Sequence, residues 1–378
     1  MAQNIWKADI NRRDFLRGGA GLGLGGTALW LAACGSGSGS TPSSSLTYPK
    51  AVIDGDLEFF NWSQYLSPDL IKGFEDHYGV KVHQTNFDNM QSMMAKLNSG
   101  IAYDITFPTM DYANQLIKAN ALLPIDHTQL THWGEIPSYF NNPWYDPHAL
   151  YSVPYALWTT GIAWRTDMVP DKVAGSWNDI WTLAPKYSGK LFLLDDFQET
   201  LGMSLLRKHK DLNSGNRDDL DLAAAEILKI KSNVGKFSTD DITNMNTGAA
   251  WIHHAWSGDI YQVILASSHP EIWQYETMGE GVPTGNDTLV IPKAAQHPGT
   301  ALKFIDWMLA PENATTNVNY FGYPQVTTTG IDAYQKLIAQ YPFLNLTLDT
   351  AIHGLRETVP TGAKLQLWDS EWTKVKAG

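Results

Sequence analysis

Apolar and polar positions alternate along the chain in short blocks that change period from two to about three and a half and back. Leu57-Glu58-Phe59-Phe60-Asn61 has the pattern of a short buried strand. Ser67-Pro68-Asp69 then supplies a cap residue and a proline at the first helical position. Leu70, Phe74 and Tyr78 keep helical spacing, and Gly79 stops the helix. Val80-Lys81-Val82 predicts the next strand, and Asn89–Asn98 a helix ended by Gly100. Asp104–Phe107 predicts a third strand, followed by a helix through Tyr112 and Ile117. Strand and helix in turn, with short connections, predict a doubly wound α/β lobe.

Tyr151 to Trp164 breaks that rhythm. Ser152-Val153-Pro154-Tyr155 and Thr160-Gly161-Ile162-Ala163-Trp164 make one long extended run with Pro and Gly inside it, a candidate crossing between two α/β regions. Alternation then restarts. Strands are predicted at Leu191–Leu194, Ala250–His254 and Asn286–Ile291. Helices are predicted around Thr200–His209, over Asp218–Lys231, from Gly258, and over Thr300–Leu309. The fold class expected is α/β, with two doubly wound lobes joined by a hinge. No 20–50-residue repeat is visible.

The first 45 residues belong to targeting rather than fold. Arg12-Arg13-Asp14-Phe15-Leu16-Arg17 precedes a Gly-rich, modestly apolar stretch from Gly18 to Ala33, the form of a twin-arginine export signal. Leu31-Ala32-Ala33-Cys34 resembles a bacterial lipoprotein box, in which the signal is cut before the cysteine and lipid is attached there. Several acyl chains together anchor a protein stably where one is marginal. Gly35 to Ser45 reads as a flexible tether. Cys34 is the only cysteine, so no intramolecular disulfide is available. Gly21-Leu22-Gly23-Leu24-Gly25-Gly26 spells a dinucleotide pattern, but no strand precedes it and it lies in the removed segment.

The 378 residues carry 27 Lys plus Arg against 39 Asp plus Glu, a formal charge of −12. Such a surface repels phosphate backbones, which argues against nucleic-acid binding and suits a small cationic solute. With 15 Trp, 16 Tyr and 13 Phe, the chain has enough flat side chains to line a cleft as well as a core. The mature sequence contains no G-x-S-x-G, Walker loop, H-E-x-x-H or C-x-x-C, so no cofactor or metal is expected. His253-His254 are strand neighbours that point to opposite faces and suit one metal poorly.

Candidate chemistry collects at the ends of predicted strands, where open α/β sheets place ligands. Asn61-Trp62-Ser63-Gln64-Tyr65 follows the first strand. Asp195, Asp196 and Glu199 follow Leu191–Leu194, and any one of them could be only a helix cap. Trp256-Ser257-Gly258-Asp259 follows Ala250–His254, Asp287 precedes Leu289-Val290-Ile291, and Phe321-Gly322-Tyr323-Pro324 puts a tyrosine in a turn. Aromatic and acid recur together.

From Leu57 to Gly378 these segments, with Tyr103-Asp104-Ile105, Pro108, Ser152-Val153-Pro154-Tyr155 and the closing Trp372-Thr373-Lys374-Val375-Lys376-Ala377-Gly378, resemble the substrate-binding proteins of polyamine (spermidine/putrescine) ABC importers. The resemblance implies a type II periplasmic-binding-protein fold and a non-enzymatic receptor that hands its solute to ABC permease subunits. It implies aromatic walls from Trp62, Tyr65, Trp256 and Tyr323. Ammonium groups would be held by Glu199, Asp259 and Asp287, with Ser63 adding a neutral hydrogen bond and Asp196 a second carboxylate near Glu199. Lobe 1 would comprise 56–158 and 287–331, and lobe 2 would comprise 159–286 and 332–378. Residues 1–33 would be the signal, and 34–55 the lipidated cysteine and linker. Localisation would be outside the cytoplasmic membrane and tied to it.

The sequence departs from that pattern at three places. Gly285 stands where the family has a stacking aromatic, which removes one wall. Asp111 replaces a small polar residue or tyrosine, and Gln64 stands where an acid is common. Other solutes on the same scaffold (another cation, a sugar, iron, thiamine) are therefore alternatives, although iron receptors favour a Tyr-Tyr pair that is absent here. An exported hydrolase using Asp196 and Glu199 is a third reading. Those two lie on one helical turn, whereas glycosidase carboxylates flank the bond they cleave.

Overall fold

The computed structural model describes residues 46–378 except 88, 345 and 346. Its strands, in chain order, are β1 (Leu57–Trp62), β2 (Val82–Phe87), β3 (Ile105–Thr106), β4 (Ser152–Arg165) and β5 (Leu191–Leu193). Then follow β6 (Val234–Phe237), β7 (Ile252–Trp256), β8 (Trp273–Glu276), β9 (Pro283–Val290) and β10 (Leu355–Arg356). They form one hydrogen-bonded path, β2-β1-β3-β9-β4-β7-β5-β6, with β8 on β4 and β10 on β9.

The two halves of this path are built alike. In the first, β1 pairs in parallel with β2 and β3, and β9 lies antiparallel beside β3. In the second, β5 pairs in parallel with β6 and β7, and β4 lies antiparallel beside β7. Each half thus has three parallel strands and one antiparallel strand that arrives from the other half. β4 makes the exchange visible. Its residues Ser152–Thr159 face Val290–Thr284 of β9, and Thr160–Trp164 face Trp256–Ile252 of β7. The partner changes between Thr159 and Thr160, so the long extended run is one strand shared by both halves. Pro154, which has no N–H to give the ladder, sits at the register shift in β4.

All eight residues of β9 are buried, as expected of a strand covered on both faces. The predicted strand at 80–82 begins at Val82 instead and reads Val-His-Gln-Thr-Asn-Phe. It is an edge strand with one neighbour, so it keeps polar side chains in water and gives little apolar signal. The helix Pro68–Tyr78 starts at its proline and ends at Gly79 in the left-handed region, φ 69°. The Ser67 hydroxyl makes no cap bond. Its backbone N–H donates instead to Asn317 Oδ1 at 3.0 Å, tying this helix start to the helix Pro311–Phe321.

One core gathers Phe59, Phe74, Phe107, Phe304 and Tyr155 behind the first half and reaches Ile260 and Tyr275 at the junction. A second packs Trp177, Leu191, Leu201, Ile227 and Trp368 in the other half. The helix Thr328–Ile338 packs on Pro311–Phe321, whereas the last helix, Gly362–Ala377, packs on Arg217–Ile230 and Phe197–Arg207. The chain passes to the second half between the helices Thr328–Ile338 and Gly362–Ala377, and the expected boundary at 331/332 falls inside the first of them.

Candidate functional site

The parallel strands of the two halves end facing each other across a cleft of about 610 Å³. Trp62 closes β1, and Ser63 and Tyr65 follow it. Asp111 lies in the first turn of the helix Met110–Lys118, Asp196 and Glu199 at the start of Phe197–Arg207, and Asp259 in the first turn of Ser257–Ala266, just after Trp256. Asp287 projects from β9, and Tyr323 follows the helix Pro311–Phe321. All ten of these expected side chains line the cleft. Cys34 lies outside the described residues. Three helix N-termini thus point their partial positive charge at carboxylates, which eases the crowding of like charge.

Aromatic and acid are bonded to one another. The Tyr65 hydroxyl donates to Asp287 Oδ2 at 2.6 Å, and the Tyr323 hydroxyl donates to Asp259 Oδ1 at 2.5 Å. The Trp256 indole N–H donates to Glu199 Oε1 at 2.8 Å, and Thr160 Oγ1 donates to the same oxygen at 2.9 Å. The question of which acid caps the helix resolves to Asp196, whose Oδ1 accepts from the backbone N–H of Gln198 and Glu199 at 2.8 and 3.2 Å. Asp195 pairs with Lys376 at 2.7 Å.

Three further side chains in the cleft escaped the sequence reading. Asp241 opens the helix Asp241–Asn246, accepts from the backbone N–H of Trp256 and Ile242, and pairs with Asp259. It follows a strand made of Val234-Gly235-Lys236-Phe237, too polar to mark a site. Glu357 comes from the returning segment, for which no pattern was read. Trp158 lies within the extended run, at an expected crossing between lobes, with no strand-end signal to mark it as part of the site. It also corrects the expectation that Gly285 leaves the cleft one wall short, because Trp158 is the cross-strand neighbour of Gly285 and lines the cleft there.

The electrostatics are one-sided. Asp111, Asp195, Asp196, Glu199, Asp240, Asp241, Asp259, Asp287 and Glu357 line the cleft, with Lys236 as their only cationic companion among its described lining residues. Burial pushes Glu199 up to about 8, with Asp196 adding to the effect, and pushes Asp287 and Asp111 up to about 7. Glu357 is driven well above the carboxylate range by burial and by Glu199. Asp241 is raised by burial and by Asp259, and burial raises Asp259 as well, which disfavours both carrying a charge together. Among the described residues, the buried carboxylate oxygens left without a hydrogen-bond partner are Glu199 Oε2, Asp287 Oδ1 and Glu357 Oε1, and all three residues line the cleft. An unpaired buried acceptor of this kind is costly, and a cation that only donates hydrogen bonds would satisfy it.

No group of three or more His, Cys, Asp or Glu converges as metal ligands would among the described residues. His253 hydrogen-bonds with Asn244 and the His254 carbonyl, while the His254 ring lies edge-on to Trp177. The two imidazoles keep the opposed directions of strand neighbours. Among the described residues no helix is long and apolar enough to cross a membrane.

The chain is 31% identical over 327 residues to the spermidine/putrescine-binding periplasmic protein of Salmonella typhimurium, covering 85% of this chain and 92% of that one. Its fold resembles a solved candidate spermidine/putrescine ABC transporter protein from Listeria monocytogenes, with TM-score 0.77 and 27% identity, over 85% of this chain and 99% of that one. It also resembles the TpPotD lipoprotein of Treponema pallidum, with TM-score 0.73 and 25% identity, over 85% and 99% respectively. These neighbours share the two-lobed arrangement of type II periplasmic-binding proteins. Residues 69–342 match the bacterial extracellular solute-binding proteins, and the chain belongs to that family.

Proposed function

We propose that this protein is an extracytoplasmic receptor that captures a linear polyamine between its lobes and delivers it to the permease subunits of an ABC importer. The observation that carries this reading is the set of three unpartnered, buried carboxylate oxygens in a cleft walled by tryptophan and tyrosine. Ammonium groups supply donors without acceptors, and the methylenes between them suit aromatic faces. Glu199, Asp259 and Asp287 hold the ammonium groups, and Asp111, Asp196 and Ser63 complete the polar surround. Trp62, Tyr65, Trp256 and Tyr323 flank the chain. The names of the relatives agree with a spermidine- or putrescine-like solute.

Closure follows from ligand contacts that only the closed state makes on both lobes. The hinge takes the crossings expected at Trp158–Thr159 and Asn286–Asp287, and its third crossing lies between the helices Thr328–Ile338 and Gly362–Ala377. The mature protein is held at the membrane by lipid on Cys34 after export through the signal in residues 1–33. It is a receptor rather than an enzyme. Asp196 is occupied by a helix cap and Glu199 by Trp256 and Thr160, so they do not flank a scissile bond as a hydrolase pair would.

The test is calorimetric titration of residues 46–378, unfolded and refolded to remove bound solute, with putrescine, spermidine, spermine, arginine and maltose. The result expected is polyamine binding at low-micromolar Kd or tighter, about −8 kcal/mol or better, weakened in Asp287→Asn. A folded protein that takes up none of the polyamines overturns the assignment.

A further inference from the structure

In the antiparallel pairing of β4 with β9, Trp158 stands opposite Gly285 and Ala156 opposite Asp287. Partners directly across an antiparallel ladder share a face, and residues two apart along a strand share it too. Trp158, Ala156, Gly285 and Asp287 therefore lie on one face, and the cleft is on that face.

The Trp158 ring does not stand clear of the sheet. A Cβ placed on Gly285 would come within 2.4 Å of Trp158 Cζ2 and 2.8 Å of Cε2, so the indole lies flat over the glycine, in the volume a side chain at 285 would need. The row thus alternates large and small, with the Trp158 side chain beside Asp287, where its indole N–H favours the ionised carboxylate while Oδ1 makes no hydrogen bond of ordinary geometry. Trp158 is also the one residue of 152–163 in β4 that is not fully buried, so a face of the ring remains open to the cleft.

Position adds a second argument. Thr159 is the last residue of β4 paired with β9, and Thr160 the first paired with β7. Trp158 therefore stands just short of the change of partner, at the lobe junction.

We propose that Trp158 is a ligand-contacting wall of this cleft, carrying the methylenes next to the ammonium group on Asp287, and that Gly285 is the space it requires. The inference rests on the polyamine-receptor reading. An open indole face beside a carboxylate offers dispersion contact to CH₂ groups and a cation–π attraction to the adjoining ammonium, which together correspond to roughly tenfold in affinity.

Calorimetric titration with putrescine and spermidine of the wild type, Trp158→Ala, Trp158→Leu and Trp158→Phe, each checked for folding by circular dichroism, tests it. Alanine and leucine are expected to weaken binding roughly tenfold, and phenylalanine by no more than roughly threefold. Should alanine fail to fold, the leucine–phenylalanine contrast decides, because leucine keeps bulk over Gly285 without a π face. Leucine binding as tightly as phenylalanine, or alanine binding as the wild type does, overturns the proposal and leaves the receptor reading intact. A wild-type protein that binds neither amine overturns both.

Discussion

The hydroxyl of Tyr65 donates to Asp287 Oδ2 at 2.6 Å, joining the turn after β1 to the strand that enters the first lobe from the second. The bond does two jobs. It holds the Tyr65 ring as a wall, and it favours the charged carboxylate that burial opposes. Tyr65→Phe keeps the ring and removes the donor. Binding of putrescine or spermidine is expected to weaken about three- to tenfold at neutral pH, with stability lower by about 1–2 kcal/mol. Titration calorimetry and thermal melts read the two effects separately.

Binding should release protons. Burial raises Asp287 and Asp111 to about 7 and Glu199 to about 8, whereas a bound ammonium group favours the ionised forms. Below those values the empty cleft holds protons that the ligand must displace, so affinity falls as pH drops through about 8 to 6. Titration in buffers of different ionisation enthalpy at pH 7 should show the released proton directly. The empty protein follows the opposite trend. Its folded carboxylates bind protons that the unfolded chain has lost above about 4, so stability falls as pH rises from there through about 7 to 8. Melting curves at pH 5 and pH 8, with and without polyamine, check both signs.

Glu199→Gln separates stability from capture. The amide oxygen can still accept from Trp256 and Thr160, while the carboxyl whose ionisation burial opposes is gone. The empty protein is expected to melt higher, and polyamine binding to weaken by roughly 10- to 100-fold, in line with the usual opposition between a strained site and a stable one. A melt unchanged or lowered, with affinity intact, would remove Glu199 from the site.

Gly258→Ala should act through a tyrosine it does not replace. A Cβ at Gly258 would lie 2.1 Å from Tyr323 Cδ2 and Cε2, so the ring must move and its bond to Asp259 must lengthen or break. The cost expected from overpacking is about 1–3 kcal/mol, accompanied by weaker binding. Tyr323→Phe in the same background should add little to the loss of affinity, because the hydroxyl is already displaced.

Much of this was legible in the sequence where periodicity and local chemistry coincide. β1, β5 and β7 lead directly into site residues, and in β9 Asp287 stands just before Leu289-Val290-Ile291, so the strand signal and the chemistry signal fall together. Asp241, Glu357 and Trp158 were missed because each enters the cleft from an element without such a run. Asp241 follows the polar β6, and Glu357 follows the two residues of β10. Trp158 lies inside a strand buried on both sides, where an aromatic reads as core. Gly285 shows the same limit from the other side. A position examined alone looks vacant, and only the pairing of β4 with β9 reveals which neighbour fills it.

The shared strands carry a consequence for the molecule as a whole. Because β4 completes the first sheet before continuing into the second, while β9 returns to close the first, the first lobe draws its strands from both sides of the second lobe in the chain. The first lobe cannot finish its hydrogen-bonded ladder until the chain has passed through the second and returned as β9. Opening must therefore proceed by twisting about continuous backbone rather than by swinging on a slack tether.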